Sequence, residues 1–279
     1  MAFIVRQMRP QEASFAIACA AAEGWNPGDH DAVSFYHADP GGFFVGELDG
    51  ELIGCIAAVS YGDFGFIGLY IVIPAQRGRG YGMALWQAAM QRLAAHNIGL
   101  DGVQAQQANY AQSGFVFAYG NIRYEGHATT APPSPPNIVA AAAVSFADLC
   151  AYDKKFFPAP RRQFLRDWIA QPHGRAVVWR QDSGNICGLG VSRPCRRGYK
   201  IGPLFADDKK TANALIKDLV AALPAGTPFY LDAPSPNKEA LALAADFSMR
   251  PVFETARMYT KFAPPLNAGV FGVTTFELG

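Results

Sequence analysis

Long apolar runs are missing from these 279 residues: the longest, 15–22 and 138–144, fall far short of the roughly 20 residues a helical membrane span needs. The first residues lack the basic segment and apolar run of a secretion signal, so a cytoplasmic protein is the expectation. Cysteine is scarce. Cys19, Cys55, Cys150, Cys187 and Cys195 are odd in number and form no Cys-x-x-Cys pair, which argues against a disulfide framework or a structural zinc and for reduced, buried thiols. The five histidines show no metal-ligand spacing, so no metal is expected. Charge of one sign is not in excess either, with 24 Lys+Arg against 23 Asp+Glu. The basic residues are spread out and do not alternate with aromatics, so nothing points to nucleic acid.

What is present is a globular composition, half hydrophobic and 17% charged, long enough for one or two domains. Residues 128–137 include four prolines and can form neither helix nor central strand, so they read as an extended linker. Up to His127 there are 6 Lys/Arg and 11 Asp/Glu; from 128 onward the counts are 18 and 12. Opposite net charges favour docking of the two halves on each other, with separate ligands for each half as the alternative.

The halves also resemble one another. Ile67-Gly recurs as Ile201-Gly, Leu100-Asp101 as Leu231-Asp232, and Arg123-Tyr124 as Arg257-Met-Tyr259, at offsets close to 130 residues. Constant order and spacing indicate a duplicated domain. The reading is a catalytic domain over 1–127, a linker over 128–137, a degenerate copy over 138–265 and a C-terminal strand or tail over 266–279. The tail alternates like an edge strand that closes a sheet or bridges the domains.

In the first half, the patterns predict a helix over 11–22, strands over 42–48 and 51–61 joined by an Asp49-Gly50 turn, and an apolar strand over 65–73 ended by Pro74. A glycine-rich loop follows, then a helix with apolar positions at Met83, Trp86, Met90 and Leu93. A strand over 97–101, a short helix over 106–112 and a strand over 115–124 complete it. Hairpins followed by strand–helix alternation predict an α/β (α+β) fold with a mixed, mostly antiparallel sheet flanked by helices in each half.

Chemistry concentrates in the loop. Gly78, Gly80 and Gly82 let backbone approach a ligand at the start of a helix, where unpaired N–H groups and the helix dipole favour a phosphate; Arg77 and Arg79 add charge. A Gly-x-Gly-x-x-Gly fingerprint fails because Met83 and Leu85 stand where glycine is required, and there is no Gly-Lys-Ser/Thr.

The pattern present, Arg77-x-x-Gly80-x-Gly82 after an apolar strand and before an amphipathic helix, with Tyr110-x-x-x-Gly114-Phe115 downstream, resembles the GCN5-related N-acetyltransferase (GNAT) superfamily. Glu23-Gly-Trp-Asn-Pro27, Gly68-Leu-Tyr-Ile-Val72, Ile98-Gly-Leu-Asp-Gly-Val103 and Phe253-Glu-Thr-Ala-Arg-Met-Tyr259 are similar to a bacterial tandem-domain group within it. That resemblance implies direct transfer from acetyl-CoA to a small amine. The pantetheine arm would run along Tyr70, Ile71, Val72 and Ile73 as an added strand, with a backbone N–H near Val72 on the thioester carbonyl. The pyrophosphate would sit on Gly78, Arg79, Gly80, Tyr81, Gly82 and Met83. Tyr110 matches the tyrosine that protonates the leaving thiolate, with packing as the alternative reading.

Residues 65–73 hold no carboxylate, so the general base is unassigned. Asp101 is a candidate base or substrate contact, or else a turn cap. Glu23, Trp25, Asp31 and Tyr70 are candidates for the acceptor side, where acidic and aromatic groups suit a cationic amine; a solvated loop is the other reading of residues 23–31. The second half has Asp207-Asp208 in place of the glycines, read as N-caps that occupy the helix donors, and Ala244 in place of Tyr110. Its basic stretch, 193–200, is either an anion contact or a solvated hairpin. The alternatives to an enzyme using acetyl-CoA are a non-catalytic acyl-CoA sensor and a transferase with a longer acyl donor.

Overall fold

A computed structural model describes residues 2–129 and 135–279; of the proline-rich stretch, residues 130–134 lie outside the described residues. The first half runs β1 (Phe3–Gln7), α1 (Ala13–Ala22), α2 (Asp31–Ala38), β2 (Phe43–Leu48), β3 (Glu51–Tyr61), β4 (Phe64–Val72), α3 (Tyr81–Arg92), β5 (Asn97–Val103), α4 (Gln107–Gln112) and β6 (Val116–His127). The second runs β7 (Ile138–Ala140), α5 (Phe146–Asp153), α6 (Arg162–Ile169), β8 (Arg175–Arg180), β9 (Ile186–Pro194), β10 (Tyr199–Ala206), α7 (Lys209–Ala221), β11 (Pro228–Pro234), α8 (Lys238–Asp246), β12 (Arg250–Tyr259) and β13 (Val270–Gly272). The Asp49-Gly50 turn has φ of 50° and 89°, the left-handed pair that a two-residue hairpin requires. Two elements were not expected: β1, which pairs with β2, and α2, which begins inside the segment read as loop. No helix among the described residues is long and apolar enough to cross a membrane.

The strands form one thirteen-stranded α/β sheet, mixed and mostly antiparallel, in the order β1-β2-β3-β4-β5-β12-β6-β11-β10-β9-β8-β7, with β13 added on β10. Among the described residues, only β4 with β5 and β10 with β11 are parallel, as a strand–helix–strand crossover demands. The halves exchange their last strands: β12 lies on β5 of the first half, and β6 lies on β11 of the second. The repeated motifs now have a physical reason. In register, Asp101 faces Arg257 and Asp232 faces Arg123. Each pair is a buried bidentate ion pair across the exchange, at 2.6 and 2.7 Å. The exchange also carries apolar material, since Ala256 and Met258 of β12 complete the core beneath α3.

The charge asymmetry of the sequence is found at this junction. Asp31 pairs with Arg193, Asp29 with Arg196, and Glu125 with both Arg197 and Arg250. The basic stretch 193–200 is the β9–β10 hairpin, and it divides: Arg196 and Arg197 are exposed at its tip, while Arg193 and Lys200 are buried against the first half. Phe35 of α2 stacks on Trp168 of α6 at 5.9 Å, extending the shared core.

Candidate active site

Beside Leu100, β4 stops pairing with β5. The parallel ladder covers only Phe64–Ile67 against Asn97–Leu100, and beyond it the strands splay. On its other edge β4 has one more residue than β3 between Ala57↔Gly68 and Cys55↔Ile71, a bulge in which Leu69 takes φ of 49°. No periodicity in a uniformly apolar strand signals a bulge, so it was not anticipated. Its effect is to leave the β5-facing edge of Gly68 to Val72 without a partner strand.

A cavity of about 360 Å³ occupies this fork. Its walls come from β4, β5, the loop after β4, α4, β6, β12 and the C-terminal tail. Of the residues expected at the site, Glu23, Trp25, Tyr70, Ile71, Val72, Arg77, Gly78, Gly82, Asp101 and Tyr110 line it. Arg79, Gly80, Tyr81, Met83 and Ile73 do not, although Arg79 and Gly80 are exposed on the loop that adjoins it and Met83 is 58% exposed.

Gly78 and Gly80 adopt φ of 74° and 85°, and Gly80 caps α3 with no side chain of its own. The first backbone bond returning into the helix is that of Ala84 to the Gly80 carbonyl, so the amides of the first turn remain for a ligand. Gly82 has a further reason to be glycine: a Cβ there would lie 2.8 Å from the Tyr70 hydroxyl. Arg77, expected to add charge for a phosphate, is already held by groups of the protein. Its Nε donates to the Val72 carbonyl at 2.8 Å and its terminal nitrogen pairs with Glu23. Gln76 brings an unpartnered buried Oε1 to the cavity wall.

Tyr110 leans on β5, where any Cβ at Gly102 would overlap its ring, and packs against Trp86 at 5.5 Å. Burial, assisted by Tyr70, pushes its hydroxyl up to about 12, so it holds its proton throughout the neutral range.

Two expected residues need correction. Asp31 is fully buried and outside the cavity; burial would raise its carboxyl, but Arg193 at 2.8 Å and the Gly28 amide hold it below its ordinary value. An acceptor contact through it is excluded by packing. Asp101 reaches the wall, yet it is neither a turn cap nor free: Arg257 takes both oxygens and Asn121 donates to one at 2.7 Å. The stretch read as a single loop thus divides, with Glu23 and Trp25 at the cavity and residues 28–31 at the junction.

The cavity wall also includes groups that sequence reasoning did not select, among them Arg123, Phe253, Thr255, Phe276 and Glu277. Arg123 lies over the Phe276 ring at 4.8 Å and donates to the Trp25 carbonyl at 2.8 Å. Lys200, held on the same carbonyl at 3.2 Å, is drawn down to about 8 by burial, with Arg123 adding to the shift.

The comparisons agree with this geometry. The acetyltransferase (GNAT) family pattern matches residues 10–115, and a second acetyltransferase (GNAT) domain pattern matches residues 149–272. Holothin acyltransferase of a Pseudoalteromonas species is 30% identical over 262 residues, covering 93% of this chain and 89% of that one. The chain belongs to the GNAT superfamily. It is also 24% identical to YitH of Bacillus subtilis, an uncharacterized N-acetyltransferase, over 83% of both chains. Among solved structures, an acetyltransferase-class protein of Pyrococcus horikoshii superposes with a TM-score of 0.83 at 21% identity, covering 99% of this chain and 96% of that one. A tandem GNAT protein from the clavulanic acid pathway gives 0.64 at 12%, covering 95% and 100%.

The chain is thus an acyltransferase with two GNAT domains in tandem, and the two differ. In the second, the fork between β10 and β11 is filled by the protein itself: β13 pairs with Leu204 and Phe205 of β10, and the Val273 amide donates to the Asp232 carbonyl. Asp208 caps α7 by accepting from the Thr211 amide at 2.7 Å, as expected. Asp207 is not a cap; it accepts from the Tyr152 hydroxyl.

Proposed function

We propose that the protein is an acyl-CoA-dependent N-acyltransferase, with acetyl-CoA as donor, acting on a small amine bound between the two halves. The observation that carries this reading is that the open β4/β5 fork, Gly78 and Gly82 at the loop and first turn of α3, and a protonated Tyr110 line one cavity. Residues 1–127 would supply the donor site, with 138–265 as a copy that walls the acceptor and 266–279 as the tail between them. Acyl-CoA is consumed, so it is a substrate here. Its pantetheine would lie along Ile71, Val72 and Ile73, and its pyrophosphate on Gly78, Arg79, Gly80, Tyr81, Gly82 and Met83. The acceptor would lie toward Trp25, Tyr70, Phe253 and Phe276, with Glu23 at the mouth; Asp101 would serve to hold β12 in place. Such a donor suits a cytoplasmic setting. The Pseudoalteromonas relative is named for acyl transfer to holothin, which supports a small-molecule acceptor and leaves the donor's chain length to be measured.

The test is thiol release from acetyl-CoA and longer acyl-CoAs over a set of small amines, together with the thermal shift each donor produces. A sensor would show the shift without release. Gly80→Asp is expected to abolish the shift, because a carboxylate would repel the pyrophosphate and φ of 85° disfavours any side chain. An equal shift in this variant and in wild type would end the loop assignment.

Tyr110→Phe is expected to lower kcat by about 100-fold. Because the phenol is protonated well above neutrality, the loss should be a constant factor from pH 6 to pH 9, roughly three units or more below its titration. Turnover equal to wild type at every pH would reduce the tyrosine to packing.

A further inference from the structure

We propose that Glu277, carried into the cavity on the C-terminal tail, accepts the proton from the acceptor's amine nitrogen; this deepens the acyl-transfer reading and rests on it. Among the described residues, three acidic residues border the cavity: Glu23, Asp101 and Glu277. Glu23 is paired with Arg77 at the mouth, and Asp101 is chelated by Arg257. The ion pairs around Glu277 are Arg123–Asp232 and Arg193–Asp31, which leave it out. Its Oε2 accepts a hydrogen bond from Thr275 of its own tail, which orients the carboxylate without neutralising it.

The tail is built into the site. Residues 269–279 are buried throughout. A Cβ at Gly202 would lie 2.6 Å from the Val273 carbonyl and 2.7 Å from that of Thr274, and one at Gly68 would overlap the Glu277 carbonyl. The repeated Ile-Gly of the two halves therefore marks the two points where the tail crosses the bulged strands. The second crossing is at Gly68, directly beyond the last β4–β5 pair, Ile67 with Leu100. There the donor's reactive end and the tail carboxylate would share the fork.

The cations acting on Glu277 are Arg123 on β6 and Lys200 on β10, and these in turn neighbour Asp232 on β11 and Arg193 on β9, the latter paired with Asp31 on α2. Asp232 is paired with Arg123 and Asp31 with Arg193, while Lys200 donates to the Trp25 carbonyl. The step closes chemically. The amine nitrogen's lone pair forms the C–N bond to the acyl carbon, and the nitrogen's proton passes to Glu277. The C–S bond breaks with its electron pair on sulfur, which takes the Tyr110 proton. Exchange with water then resets both residues, leaving an amide and a free thiol.

Glu277→Gln keeps shape and loses the acceptor for the proton. It is expected to lower kcat about 100-fold or more, with the KM and thermal shift for acyl-CoA unchanged and the acidic limb of the pH–rate profile lost. Glu277→Ala opens a gap and should regain activity saturably with added formate. A Glu277→Gln enzyme with wild-type kcat and an intact acidic limb, or a folded Glu277→Ala that formate does not rescue, would overturn the proposal. If wild type itself releases no thiol with any amine, the acyl-transfer reading fails instead, so the two failures are distinguishable.

Discussion

Arg257→Met is expected to cost about 3–5 kcal/mol of stability, because it strands the Asp101 carboxylate in a buried site. Asp101 has a side-chain exposure of 0% and Arg257 of 8%, and two hydrogen bonds of 2.6 and 2.9 Å join them. Burial alone would lower the Arg257 guanidinium, yet Asp101 beside it holds it well above its ordinary value. Removing the cation leaves only Asn121 and Thr255 to satisfy the carboxylate. The loss should fall on the exchanged strand, since β12 is what separates β5 from β6. Urea unfolding monitored with amide exchange in β5 and β12 measures both the size and the place. Asp101→Leu combined with Arg257→Met is expected to recover most of the loss, because replacing both charges removes the uncompensated one. A single variant within 1 kcal/mol of wild type, roughly the worth of an exposed pair, would show that the exchange does not depend on this contact.

Gly68→Ala is the second large effect. Its methyl group would meet the Glu277 carbonyl, a backbone atom that cannot rotate away, so the tail must lift from β4. Overpacking of this kind costs about 1–3 kcal/mol, occasionally more. The expected outcome is that loss together with a fall in thiol release of about 100-fold, as from removal of a general base. The thermal shift from acyl-CoA should persist, because the α3 loop is untouched. Limited proteolysis should cut the tail faster in the variant. Unchanged activity in Gly68→Ala would separate the tail from the chemistry. Gly62→Ala is a suitable comparison, since a Cβ there meets nothing and only its φ of 79° is unfavourable.

These two variants also mark where sequence reasoning was strong and where it stopped. The apolar run of 51–61, the Asp49-Gly50 turn and the 3–4 residue spacing of Met83, Trp86 and Met90 are short-range signals, set by backbone sterics and burial. They led directly to β2, β3 and α3. The glycine loop was legible for the same reason: positive φ at Gly78 and Gly80 is a local demand. Asp31 was misassigned because an aspartate in a polar loop looks identical whether it faces solvent or an arginine 162 positions away. Phe253, Thr255 and Glu277 were overlooked as cavity residues because nothing in their neighbours signals a wall of the first half's site.

By itself, then, the amino-acid sequence determined most elements of the first half, the duplication, the glycine-rich turn and the membership of a superfamily. Each of these is written in contacts a few residues apart or in motifs that can be matched along the chain. Which half closes over which strand, where the tail crosses, and which acid stays outside the ion pairs were decided only in three dimensions. Those outcomes depend on pairings between residues more than 100 positions apart, Arg123 with Asp232 and Asp101 with Arg257 among them, and on whether a buried charge finds its partner when the two halves come together.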